Sequence, residues 1–407
     1  MKNKILKALS LIGPGLFLIG YNIGTGSVTT MAKTGAEHGM SLFWALVLSA
    51  YFTYLLMVAY GKVTLVSGKT ALNFIKTELK GGWLLAIYIF VALVIGELLA
   101  LMGVMGIVAD LTQEGLSLIF GTKVSRFSII LVYAFLIILL LKYGNYQSFE
   151  KVLTFFVIIM ALCFIGVLFL VKPNFQVILQ GLIPSVPKSA GAMGLIAAIA
   201  GTTCSAAVFI MRSTVIKEKG WTIDDLPKDK IDSAVSSGMM LVLSGVIMAV
   251  GAGTLYVMKI SLQNTLDMVH LFEPLGGKWA ALVLIFGIVG AGLSTVFPIV
   301  LIAPWLWADY REQPRNIQST ISQWMIAIAL LFAFGSVFLS QRPPALMIFS
   351  QAFQACILPA VAIPIFILWN RAGLMKAHKA TKAENIGMVL VIIFSLVTTY
   401  FALAEVL

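Results

Sequence analysis

Long runs of apolar positions, parted by short polar stretches, recur along the whole chain at a length that suits a bilayer. A window of about 19 residues picks them out. Eleven such segments lie near 10–36, 41–66, 82–109, 127–143, 152–172, 191–216, 235–258, 279–304, 319–339, 345–369 and 386–405. A helix crossing the hydrocarbon layer needs about 20 residues, so each predicts a span; the one near 127–143 is at the lower limit. Two segments are interrupted in mid-run. Gly24-Thr25-Gly26-Ser27 breaks the first, and Gly201-Thr202-Thr203-Cys204-Ser205 breaks the sixth. Lipid cannot satisfy the N–H and C=O groups that a break frees, so such backbone survives only when buried or lining a polar cavity. Glycines in these runs also let helices approach closely.

The two breaks share a pattern: an apolar run, Gly-Thr, a small hydroxyl residue, then a shorter apolar piece. Their starts, Gly24 and Gly201, are 177 positions or five spans apart. An odd number of spans gives the halves opposite orientation. That is the mark of an inverted repeat, whose site lies between the first helices of each half. The expectation is therefore an all-α integral membrane protein of one domain. Its first repeat covers about 10–172, its second about 191–369, and an extra helix about 386–405. Gly24, Thr25, Gly26, Ser27, Gly201, Thr202, Cys204 and Ser205 become candidate substrate-binding residues.

Composition agrees with a membrane protein. Of 407 residues 60% are hydrophobic and 11% charged, with mean hydropathy +1.00, against about 25% charged in soluble domains. The net charge of +11 therefore reads as basic inner loops, not as a nucleic-acid surface. With the N-terminus inside, Lys2, Lys4, Lys7, Lys76, Lys80, the 217–230 stretch and the 371–382 stretch all fall inside, in keeping with the positive-inside rule. Eleven spans then put the C-terminus outside, in a plasma (inner) membrane. The basic, then apolar start lacks a cleavage site and reads as an uncleaved first helix. Cys163, Cys204 and Cys356 show no metal-type spacing, so neither a disulfide framework nor a zinc site is expected. No cofactor is implied.

Further motifs carry a resemblance. Gly39 to Ser49 and Leu65 to Phe74 are similar to the second helix and following loop of the NRAMP family of secondary transporters. Gly144-Asn145-Tyr146-Gln147-Ser148-Phe149-Glu150-Lys151 resembles the turn into that family's fifth helix. Residues 181–187, 287–297, and Ser350-Gln351 with Leu358-Pro359 resemble the approach to its sixth helix, its eighth and its tenth. The resemblance runs nearly end to end and implies a LeuT-type 5+5 inverted repeat. It also implies proton-coupled uptake of divalent metal, with ligands from an Asp-Pro-Gly-Asn motif, a Met-Pro-His motif and a tenth-helix Gln. This chain has Gly24 and Ser27 where the family has Asp and Asn. Ser205 and Ala207 stand at its Met and His positions, and only Gln351 matches.

That departure predicts a site of hydroxyls, carbonyls, Gln351 and the Cys204 thiol, with no formal negative charge. Hard divalent cations prefer carboxylates, so the metal ligands are left unknown. Two substrates stay open: a small inorganic cation, or a small organic or zwitterionic solute received at half-helix N-termini. Two intramembrane charges stand out, Glu97 and Arg212. An ionisable residue within a span is expected to have a function and a partner. Glu97 falls where the family has a third-helix Asp on its proton route. A Glu97–Arg212 pair is therefore expected, either exchanging protons as the coupling ion or serving as a fixed ion pair, since arginine stays protonated.

Gly68-Lys69-Thr70 echoes a phosphate loop, but Val63 occupies the required first glycine and no strand precedes it. His38, His270 and His378 are dispersed. No nucleophile–base pair supports an enzyme. A transporter is favoured over a non-transporting membrane sensor on the same fold, with the lipid bilayer its main surroundings.

Overall fold

A computed structural model of the chain describes residues 24–143, 146–339 and 343–406. The first half of the first expected span lies outside the described residues, as do Lys2, Lys4, Lys7, Gly144, Asn145, Arg342 and Leu407. All regular structure among the described residues is helical. The principal helices are α1 (Thr25–His38), α2 (Phe43–Ser67), α3 (Ala71–Glu78), α4 (Gly82–Phe120), α5 (Arg126–Tyr143), α6 (Tyr146–Val171) and α7 (Ala192–Thr203). They continue with α8 (Ala206–Glu218), α9 (Leu226–Gly253), α10 (Gly277–Arg311), α11 (Thr320–Ala333), α12 (Pro343–Ala355), α13 (Leu358–Asn370) and α14 (Lys382–Val406). Each apolar segment expected within these residues is a helix or two consecutive helices. Eight helices among the described residues are long and apolar enough to cross a membrane.

The apolar residues face outward as well as inward. Tyr88, Val91 and Ile95 on α4, Leu131, Phe135 and Ile138 on α5, and Leu390, Ile393, Val397 and Tyr400 on α14 are exposed. Steps of three and four place each set on one helix face, where lipid, not water, is the favourable solvent. The interior relies on small residues for close approach. A β-carbon at Gly35 of α1 would lie 3.0 Å from Gly251 Cα of α9, so the two backbones all but touch there.

The start of α1 and two helix breaks define the centre. Helix α1 begins directly after Gly24, whose backbone is extended. Cys204 (φ −102°, ψ 52°) and Ser205 (φ −69°, ψ 125°) leave the helical region between α7 and α8. Cys356 and Ile357 separate α12 from α13, and Pro359 in the first turn of α13 suits a start where no N–H is needed. The carbonyls these breaks free are met by hydroxyls from neighbours. Thr53 Oγ1 of α2 donates to Thr203 O at 2.9 Å and also to Ser49 O at 2.7 Å. Thr399 Oγ1 of α14 donates to Ala355 O at 3.2 Å. Two carbonyls of broken backbone thereby gain donors without water.

The stretch that echoes a phosphate loop is a helix junction. Gly68 ends α2 in the left-handed region at φ 66°, where lack of a β-carbon removes the steric penalty. The Thr70 hydroxyl donates to Asp309 of α10, and Leu72 N donates to the same carboxylate at 3.3 Å. Ser213 Oγ of α8 accepts from Ala71 N at 2.8 Å. The first turn of α3 is thus capped by side chains of α8 and α10.

Candidate functional site

The start of α1, the α7–α8 break and helix α12 face one cavity of about 30 Å³, lined by Gly24, Gly26, Ser27, Glu97, Ala100, Thr202, Ser205, Thr295, Ile299, Met347, Gln351 and Gln354. Each lining residue is buried. Such a volume holds roughly two water molecules. Helix periodicity accounts for the wall. Met347, Gln351 and Gln354 follow at steps of four and three and share one face of α12, while Glu97 and Ala100 share a face of α4.

Hydrogen bonds tie the walls together. Ser205 Oγ, at the start of α8, donates to Gln354 Oε1 at 3.1 Å. The same amide donates from Nε2 to Glu97 Oε1 at 3.1 Å. One side-chain amide therefore joins the sixth-segment break to the carboxylate on α4. Ser27 Oγ lies 3.1 Å from Ser244 Oγ of α9. Gly26 presents bare backbone: a β-carbon there would overlap Met347 Cε and sit 2.8 Å from Gln351 Nε2. On its other side Glu97 borders an apolar cleft of about 220 Å³ with Phe90, Val94, Leu98, Ile302 and Met325. Glu97 itself is 2% exposed.

Most candidate residues from the sequence meet at this cavity: Gly24, Gly26, Ser27, Thr202, Ser205 and Gln351, with Glu97. Three are placed elsewhere. Thr25 Oγ1 faces α10, 2.9 Å from where a β-carbon on Gly292 would be, and has no hydrogen-bond partner. Gly201 lies against α12, since a β-carbon there would be 2.8 Å from the Gln351 carbonyl carbon. Cys204 is 1% exposed within the hydrophobic core.

Two expectations are corrected. The cavity is not without formal charge, because α4 brings the Glu97 carboxylate to it. Nor is Glu97 the partner of Arg212. Arg212 Nη2 donates to Asp229 Oδ1 at 2.6 Å and to Ser233 Oγ at 2.9 Å, and Nη1 donates to Asp232 Oδ2 at 3.0 Å. All three charged groups are fully buried. Arginine's planar fork suits two carboxylates at once, and Asp229 and Asp232 sit three apart on the first turns of α9. The sequence offered these acids only as part of a polar loop after the sixth span. Met347 and Gln354 were also missed, although their register with Gln351 was available.

A family model described as natural resistance-associated macrophage protein-like matches residues 15–405. The chain belongs to that family, NRAMP. Among curated NRAMP relatives, the divalent metal cation transporter MntH of Erwinia tasmaniensis is 23% identical over 407 residues, covering 97% of this chain and 94% of that protein. The protein of the same description from Staphylococcus aureus (strain Mu3) is 21% identical over 433 residues, covering 97% and 91%. The manganese transporter of Eremococcus coleocola superposes with a TM-score of 0.73 at 17% identity, covering 98% of this chain and 86% of that chain. Mhp1, a nucleobase-cation-symport-1 family transporter, gives 0.64 at 11% identity, covering 97% and 91%. The NRAMP chain thus has the LeuT-type all-helical membrane architecture. Among its described residues there is no group of three or more His, Cys, Asp and Glu placed to hold a metal.

Proposed function

We propose that the chain is a secondary transporter of a divalent metal cation, which it carries through the cavity between the start of α1, the α7–α8 break and α12. The observation that carries this reading is the Glu97 carboxylate on a cavity of about 30 Å³ whose lining residues are buried. A carboxylate offsets the charge of a cation leaving water, and the apolar cleft behind it strengthens the attraction. The volume favours a partly dehydrated ion over an amino acid or other organic solute, whose several heavy atoms exceed it. Family membership and the MntH relatives point the same way.

The finer reading has the two halves, about 10–172 and 191–369, rocking around the site as inverted repeats, with the helix at 386–405 outside them. The N-terminus is cytoplasmic, the C-terminus is outside, the membrane is the plasma membrane, and protons are the coupling ion. The test is Mn²⁺ influx into proteoliposomes loaded with a metal-sensitive dye, at matched and acidic outside pH. Saturable influx that rises with outside acidity is expected. Influx no faster than in empty liposomes, across pH and across Mn²⁺, Fe²⁺ and Mg²⁺, would overturn it.

A further inference from the structure

The family's metal ligands on its first and sixth helices are absent from this chain, and its cavity holds two groups able to take their place from other helices. We propose that the divalent-cation site is rebuilt from α4 and α12, with Glu97 supplying the anionic oxygen and Met347 the soft sulfur. This inference rests on the transport reading above and assigns its ligands.

The charge comes first. Gly24 and Ser27 occupy the acidic and amide positions of the first helix, so no carboxylate reaches the cavity from α1. Glu97 reaches it from α4, and its orientation is held. Gln354 Nε2 donates to Oε1, while the carbonyl end of the same amide accepts from Ser205. A primary amide whose oxygen is engaged by Ser205 is fixed with its nitrogen toward the carboxylate. Gln354 is therefore a positioning residue: it sets where the negative charge lies relative to the α7–α8 break.

The soft ligand follows the same logic. Ser205 stands where the sixth helix of the family has methionine, and the nearby Cys204 thiol is packed in the core away from the cavity wall. Met347 is 1% exposed and lines the cavity. Its terminal methyl and the Gln351 amide converge over the bare backbone of Gly26, where one β-carbon would crowd both. A buried thioether is ordinarily packing, but the methyl end of this one reaches the cavity wall at Gly26 beside the Gln351 amide, with its sulfur against Gly103 of α4. Neutral hydroxyls of Ser27 and Ser205 and the Gln351 amide complete a donor set of one carboxylate, one thioether and neutral oxygens.

The chemistry of that set makes separate demands on its two members. A carboxylate serves every dication, whereas a thioether adds affinity for soft and borderline ions and nothing for Mg²⁺ or Ca²⁺. Glu97→Gln therefore weakens all dications. Met347→Leu, nearly the same volume, weakens Cd²⁺ and leaves Mg²⁺ alone.

The test is equilibrium binding of Cd²⁺ and Mg²⁺ to the purified full chain in detergent, with Cys204→Ala as background to remove the nearby thiol. Expected are a loss of more than about tenfold for both ions in Glu97→Gln. In Met347→Leu the loss is about fivefold or more for Cd²⁺ with Mg²⁺ unchanged. X-ray absorption of the Cd²⁺-loaded background protein supplies a readout that needs no ligand variant to fold: a sulfur neighbour in the Cd²⁺ shell. Cd²⁺ held by oxygen and nitrogen alone, or either variant binding Cd²⁺ like the background, would overturn the ligand assignment and leave the transport reading standing. Absence of saturable binding of any dication to the wild-type chain would overturn both.

Discussion

Gly61 of α2 and Asp229 of α9 touch so closely that a β-carbon on residue 61 would lie 2.6 Å from Asp229 Cγ and closer still to both its oxygens. The glycine makes room for a buried carboxylate, and that carboxylate in turn receives Arg212 of α8. Three helices meet at one buried ionic group. Removing one partner of such a group leaves an uncompensated charge, at a cost of about 3–5 kcal/mol. Arg212→Met is expected to lower the unfolding temperature in detergent sharply. Arg212→Lys should recover little, because an ammonium cannot serve Asp229 and Asp232 in the same fork. Gly61→Ala should also destabilise, by pushing Asp229 off the guanidinium. An Arg212→Lys protein as heat-stable as wild type would contradict this account.

Gly26 offers a test at the cavity itself. An alanine there collides with Met347 Cε and crowds Gln351 Nε2, so Gly26→Ala should stop uptake while the fold, held elsewhere, persists. Met347 ends in a flexible side chain. The double variant Gly26→Ala, Met347→Ala should therefore regain metal uptake in proteoliposomes, with weaker preference for Cd²⁺. Equal loss in both variants would mean that strain at the break, not steric filling, is responsible.

Two residues of the sixth-segment break should behave in opposite ways. Gly201→Ala drives a methyl group into the Gln351 carbonyl, part of the backbone of α12. Backbone cannot swing aside as a side chain does, so poor expression or loss of a monodisperse protein is expected. Cys204→Ala removes a small buried group from the core. It should cost little stability and leave the metal dependence of uptake unchanged. A large change in metal preference for Cys204→Ala would put the thiol at the site after all.

Ser205→Ala deletes the donor to Gln354 Oε1. A typical net hydrogen bond contributes about 0.5–1.5 kcal/mol, so a few-fold weaker apparent affinity is expected with the fold intact. Ser205→Thr keeps the hydroxyl and should restore affinity. Concentration curves of Mn²⁺ uptake for the pair separate loss of orientation from loss of packing.

Much of this was legible in the chain because lipid leaves backbone few options. Apolar length alone located the helices among the described residues, and interruption alone located the break at Cys204-Ser205. Long-range side-chain partnership was not legible. The pairing of Glu97 with Arg212 followed from both being intramembrane charges, yet Asp229 and Asp232 are nearer in sequence and reach Arg212 from the start of α9. Hydropathy hides them, since the first turns of α9 look like loop until a neighbouring helix covers them. The charge at the cavity was missed for a related reason. Motif reading followed the broken helices, while Glu97 arrives on an unbroken one. Met347 and Gln354 needed only the step of three and four from Gln351, but a helical stripe acquires meaning only when its facing wall is known.

The Thr53 hydroxyl has one proton and two carbonyls within reach, Ser49 O on its own helix and Thr203 O at the break. A donor shared in this way acts as a bearing. If the half-helices tilt, the hydroxyl can keep its bond to Ser49 O while it releases Thr203 O, and regain the second when they close. Motion at this joint would then cost one branch of a three-centre bond and leave the donor still paired. Thr53→Val keeps the shape and removes the proton, so Thr203 O would lose this donor whenever the joint is closed. Slower turnover at unchanged equilibrium affinity is the expected signature; unchanged turnover would make Thr53 a static patch.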